Sequence, residues 1–153
     1  MKKLHKEKKF ELVDSSEEIK ESYIEKSESN LISAKILLDN DRLEESVYLT
    51  YYSMYHIVTA LFFKVGIKCE NHTAAIILLK KIFDLDNSDI KFAKQERVDK
   101  QYYTDFKIKK NEVKGAIETA EEFNASILDF ISRLNAQDLM NYRNNFKNLI
   151  SQF

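Results

Sequence analysis

No proline interrupts this chain of 153 residues, and glycine occurs only at Gly66 and Gly115. Average usage would place about 8 prolines and about 11 glycines in such a length. Two isolated glycines make neither a GxGxxG turn nor a P-loop, since both need bare backbone clustered against phosphate. A Pro-rich linker is excluded. A β-sandwich or barrel is disfavoured, because tight hairpins use glycine at positive φ. What remains is a chain of almost uninterrupted helices, of a length that suits one domain.

The apolar spacing divides these helices. Residues 1–14 begin with five lysines and one glutamate in the first ten positions, which predicts a basic, mobile N-terminal arm. Ser15 and Glu18 have capping-box spacing, so the first helix should start at Ser15. Its apolar positions are Ile19, Tyr23, Leu31, Ala34, Leu37 and Leu38, with a polar gap near Ser27. After an Asn40-Asp41 turn, a second helix runs from Leu43 to Val65 and ends at Gly66 in the C′ position. It carries one stripe of Val47, Tyr51, Met54, Val58, Leu61 and Phe62, and a second of Tyr48, Tyr52 and Tyr55. A helix apolar on two faces is surrounded by neighbours.

Asn71 predicts the cap of a third helix over His72–Phe83, with Ala75, Ile76, Leu78, Leu79 and Ile82 inward. Residues 84–110 have no clear period, and a short helix or an irregular connection fits them equally. Asn111 should cap a long helix from Glu112 to about Leu134, with Gly115 in its first turn. Asn135 should cap a last amphipathic helix over 135–153, packed on the same domain or at a subunit contact. The expected fold is therefore an all-α, up-and-down helical bundle. It has four main helices, a short connecting helix and a C-terminal helix.

Composition then limits the function classes. A net charge of −1 names no partner. The lone Cys69 excludes an intramolecular disulfide and a multi-cysteine zinc site, and fits a reducing cytoplasm. The N-terminal charges have no apolar stretch after them, so a secretory signal is not expected. Ser46 to Phe63 is an 18-residue run free of Asp, Glu, Lys and Arg, at the lower limit for a membrane span. Its four tyrosines, His56 and hydroxyl residues predict a buried central helix rather than a membrane segment.

Three histidines are present, His5, His56 and His72, and none has HxxxH spacing with another. A histidine metal site is not expected, nor any cofactor. His56 reads as an imidazole bonded to a tyrosine or a backbone carbonyl, or as a polar group lining a cleft. His72, at a helix start, reads as a capping neighbour or as an anion contact beside free N–H groups. No Ser-His-Asp or Cys-His arrangement supports covalent catalysis.

The stretch YLTYYSMYHIVTALFFKVGIKCENHTAAI resembles the core of HEPN domains, the higher eukaryotes and prokaryotes nucleotide-binding family. The matching features are Tyr51, Tyr52, Met54 and His56, the apolar run to Gly66, and His72 at the next helix start. Downstream, Arg97 and Tyr102 resemble the family's Arg-spacer-Tyr, and Ala120 with Phe123 its A-xx-F helix. The resemblance covers roughly residues 15–134 of this chain, which makes 15–134 the expected HEPN-like unit.

That resemblance implies a helical bundle, commonly a homodimer. Many HEPN domains are metal-independent ribonucleases with an Arg, four to six residues and then a His. In such a pair Arg stabilises phosphate charge while His moves protons for the ribose 2′-OH. Here the positions after Arg97 hold Tyr102, Tyr103 and Thr104, and a phenol is a poor base at neutral pH. The resemblance therefore implies a catalytically degenerate module that binds a nucleotide or RNA through Arg97, Tyr102, Tyr103, His56 and Tyr52. A small nucleotidyltransferase is the implied partner. The competing expectations are two. One is a ribonuclease of a toxin–antitoxin or defence system, with His56 or His72 brought beside Arg97 as catalytic candidates. The other is a helical scaffold.

Overall fold

A computed structural model describes residues 1–6, 9–102 and 107–153; the side chains of His5, Gln101 and Tyr102 lie outside that description. The described residues form an all-α bundle with one small β-ribbon. In chain order the elements are α1 (Lys2–Lys6), β1 (Phe10–Leu12), α2 (Glu17–Asp39), α3 (Leu43–Val65) and β2 (Ile67–Cys69). Then come α4 (His72–Phe83), α5 (Ser88–Tyr102), α6 (Lys110–Arg133) and α7 (Ala136–Ile150).

The bundle is organised around α3. Its first stripe is wholly buried: Tyr51, Val58 and Leu61 are sealed from solvent, and Val47, Met54 and Phe62 nearly so. α2 packs along α3 most extensively, followed by α6 and α5. The hairpin of α2 and α3 is closed by Asp41 at φ 56°. The uncharged run of α3 thus faces protein on most sides. Among the described residues no helix is long and apolar enough to cross a membrane.

Small residues let α2 and α3 approach closely. Ser27 donates to the Ser53 carbonyl at 2.7 Å, Ser53 donates back to the Ser27 carbonyl at 2.9 Å, and Ser46 donates to the Ala34 carbonyl at 2.7 Å. The polar gap that the sequence leaves at Ser27 is therefore a buried crossing point. A buried hydroxyl needs a partner, and a facing carbonyl supplies it.

The N-terminal residues depart from the mobile arm expected over 1–14. Phe10–Leu12 pairs antiparallel with Ile67–Cys69, in the register Phe10 with Cys69 and Leu12 with Ile67. Phe10 is fully buried, edge-on to Phe146 at 6.0 Å and to Phe153 at 6.1 Å between ring centroids. Burying such a ring is worth about 1.5–3 kcal/mol, enough to fasten a short strand that the lysine count alone would leave in water.

The caps also differ in places. Ser16, not Ser15, caps α2 by accepting from Ile19 N at 3.1 Å. α6 begins at Lys110, so neither Asn111 nor any other side chain caps it, and Gly115 lies past its first turn. By contrast, Asn71 accepts from Ala74 N, and Asn135 with Asp138 completes a capping box. α7 lies on the bundle, with Phe146 fully buried. Its Arg143 Nη1 donates to the carbonyls of Val13, Val65 and Gly66 at 2.7, 3.0 and 3.2 Å. Those carbonyls lie at the end of α3 and in the chain entering α2, so one guanidinium joins three segments.

Candidate functional site

The second stripe of α3 lies at the edge of the core rather than inside it. Tyr48, Tyr52, Tyr55 and His56 are half-buried there. The α3–β2–α4 connection brings His72 against this stripe, and α5 lays Arg97 across it. Residues 45 positions apart then meet: Arg97 Nη1 donates to the Tyr52 hydroxyl at 2.9 Å. The same guanidinium carbon lies 5.1 Å from the Tyr51 ring centroid and 5.4 Å from that of Tyr52. Two aromatic faces and one phenol oxygen hold the cation, without a carboxylate partner among the described residues. Arg97 Nε is sealed from solvent and has no hydrogen-bond partner among them.

Both imidazoles belong to the same cluster. His72 stacks on Tyr55 with centroids 3.8 Å apart and planes 11° apart. Its Nδ1 lies 2.7 Å from the Tyr51 hydroxyl. His56 Nδ1 lies 2.9 Å from Asn30 Nδ2. The Tyr52 ring centroid is 6.2 Å from His56 and 6.2 Å from His72, so Tyr52 is the hub that touches Arg97 and both histidines. His56 therefore takes neither a tyrosine nor a carbonyl as partner but the Asn30 amide, which lies 26 positions away on α2.

Burial and neighbouring cations set the protonation states. Burial, then Lys26, then His72 push the His56 pKa down to about 4. Burial, then Arg97 and Lys94 lower that of His72. Both rings are neutral near pH 7. Burial holds the Tyr51 phenol well above its ordinary value and pushes Tyr55 up to about 12, so neither ionises at neutral pH. Cys69, buried and turned to the Asn71 carbonyl, has its thiol pushed up to about 11 by burial.

Of the residues expected at a site, Arg97, Tyr52, His56 and His72 come together. Tyr103 lies outside the described residues, and so does the side chain of Tyr102, whose backbone ends α5. The structure adds Tyr51, Tyr55 and Asn30. Tyr51 reads from sequence as pure core, and its hydroxyl reaches His72 only because α4 folds back. Asn30 carries no sequence signal toward His56. No group of three or more His, Cys, Asp or Glu residues suited to a metal ion occurs among the described residues.

Comparison with known proteins places this geometry in context. A family model described as the HEPN domain matches residues 20–130. A curated protein of Pyrococcus horikoshii, named UPF0332 protein PH1297, is 39% identical over 64 residues. That match covers 42% of this chain and 44% of the relative, so the shared stretch spans less than half of either.

Proposed function

This chain belongs to the HEPN domain family, and from that premise we propose that it recognises a phosphate-bearing ligand, a nucleotide or RNA, without cleaving it. The observation that carries this reading is Arg97. A half-buried guanidinium held on the Tyr51 and Tyr52 rings, with no carboxylate partner among the described residues, is a cation kept ready for an anion. Nearby aromatic faces suit a base, since base–aromatic stacking contributes about 1–3 kcal/mol per base. Lys94 and Lys26 add positive charge at the two histidines.

The same reading includes a homodimer, a small nucleotidyltransferase as partner, and a cytoplasmic setting in which the lone Cys69 stays a thiol. The test is fluorescence anisotropy with a labelled single-stranded RNA. Arg97→Ala should weaken binding about 10- to 150-fold, the loss expected of one charge-assisted contact worth about 1.5–3 kcal/mol. Equal binding by the variant overturns the reading.

A second reading, a metal-independent ribonuclease, is favoured by one observation: a neutral His72 shares Tyr51 and Tyr52 with Arg97. A neutral imidazole is the form that accepts a proton. RNA cleavage by purified protein, abolished in both Arg97→Ala and His72→Ala, would establish it over the first reading.

A further inference from the structure

The hydrogen bonds inside the cluster decide which nitrogen of each histidine carries its proton. Tyr51 is fully buried, and the one partner of its hydroxyl among the described residues is His72 Nδ1. A phenol has one proton to give. If the hydroxyl accepted from an Nδ1–H instead, its own proton would be left buried without an acceptor, a cost of about 1–3 kcal/mol. The phenol therefore donates, Nδ1 accepts, and the imidazole proton sits on Nε2. At His56 the Asn30 Nδ2 amino group faces Nδ1. That group is a donor only, so Nδ1 again accepts and Nε2 carries the proton.

The two Nε2 atoms have no partner among the described residues. Among the described residues the sealed unpartnered atoms are Arg97 Nε and Asn124 Oδ1, and both imidazoles are half-buried. Around Tyr52, the groups left for a ligand are thus donors: the ring N–H groups, and the Tyr52 hydroxyl, which accepts from Arg97 and keeps its own proton to give. The nearby carboxylates are occupied: Glu70 pairs with Lys68 at 3.0 Å and Lys9 at 3.6 Å, and Glu44 accepts from Tyr48.

We propose that Tyr51 and Asn30 are positioning residues that fix His72 and His56 as neutral Nε2–H donors, giving this face donors for a fully deprotonated oxyanion and no base. The inference deepens the phosphate-binding reading, and the ligand class rests on it. The tautomers do not, because they belong to the free protein. A phosphodiester, with no proton to lose and two acceptor oxygens, matches such a face. A hydroxyl awaiting deprotonation does not, because the ring nitrogens left without a partner among the described residues already hold their protons. An enzyme that used either ring as a base would first have to move the proton from Nε2 to Nδ1, breaking the Tyr51 or Asn30 bond.

Two-bond 1H–15N correlation spectra of the full chain at pH 7.5 separate the tautomers directly. His56→Gln and His72→Gln assign the rings, and circular dichroism checks that each variant is folded. Both rings should appear as the Nε2–H form. Tyr51→Phe should return His72 to a mixture while leaving His56 unchanged, and Asn30→Leu should do the reverse. A wild-type His72 in the Nδ1–H form or as a mixture overturns the proposal, as does a Tyr51→Phe spectrum identical to wild type. Correct tautomers combined with no RNA binding by wild type would instead overturn the phosphate-binding reading alone.

Discussion

Arg97 on α5 donates to the Tyr52 hydroxyl on α3 at 2.9 Å, and this bond connects a weakly patterned helix to the most extensively buried one. α5 carries few apolar anchors; among its described side chains Ile90 is the one fully buried, and Phe92 is 67% exposed. Its placement therefore depends more than that of its neighbours on a polar contact. Four expectations follow from relationships of this kind.

Arg97→Lys keeps the charge and removes the planar fork that spans a phenol oxygen and two rings. It should lower stability by about 1–2 kcal/mol, the sum of a lost charged hydrogen bond and a weakened cation–π contact. Urea unfolding measures this. A change below a few tenths would show that the contact is incidental to α5.

The histidines give the fold an acid dependence. His56 titrates near 6.5 when unfolded and near 4 when folded, so in that interval the unfolded chain holds more protons. Stability is then complete above pH 6.5 and is lost as pH falls toward 4. His72, lowered in the same direction, adds to it. The groups facing His56 are Lys26, His72, Asn30, Tyr23, Tyr52 and Tyr55, none of them a carboxylate that would reverse the sign. Thermal midpoints measured from pH 7 to pH 4.5 should fall less steeply in His56→Gln than in wild type; parallel curves would refute the assignment.

The two glycines should respond oppositely to alanine. Gly66 sits at φ 93°, and an added Cβ would lie 1.9 Å from Arg143 Nη1 and 2.5 Å from the Val13 carbonyl oxygen. Left-handed backbone costs a non-glycine residue about 1–2 kcal/mol, and displacing the Arg143 fork adds to it, so Gly66→Ala should destabilise by about 2–4 kcal/mol. At Gly115, inside α6, a Cβ meets nothing within 4 Å. Gly115→Ala should stabilise by about 0.5–1 kcal/mol. Chemical denaturation of the pair tests both signs.

Cys69 should be inert while the protein is folded. The residue is 8% exposed and its thiol is pushed up to about 11, which leaves little thiolate at pH 7.5. Iodoacetamide should label it slowly in buffer and rapidly in urea. Fast labelling of the native protein would show that the β1–β2 ribbon opens readily.

Much of the fold was legible from local chemistry. Helices α3 and α4 begin and end where Gly66, Asn71 and the apolar stripes place them, because caps and periodicity act within one turn. The start of α6 was not: the helix begins at Lys110, before Asn111, with no side-chain cap to mark it. β1 was hidden for a related reason. Phe10 follows a lysine-rich stretch, and its partners Phe146 and Phe153 are more than 130 positions away. At the site, Arg97, Tyr52, His56 and His72 were legible as residue types in a family-like order, but not their bonds to one another.

The sequence by itself determined that this chain is helical, where its central helix stops, and that phosphate could meet no glycine loop. Those properties depend on backbone preference and short-range pattern. Only the tertiary structure decided that Tyr51 serves His72, that Asn30 serves His56, and that Arg97 rests on tyrosines instead of a carboxylate. Each of those contacts joins two different helices, which no local pattern along the chain records.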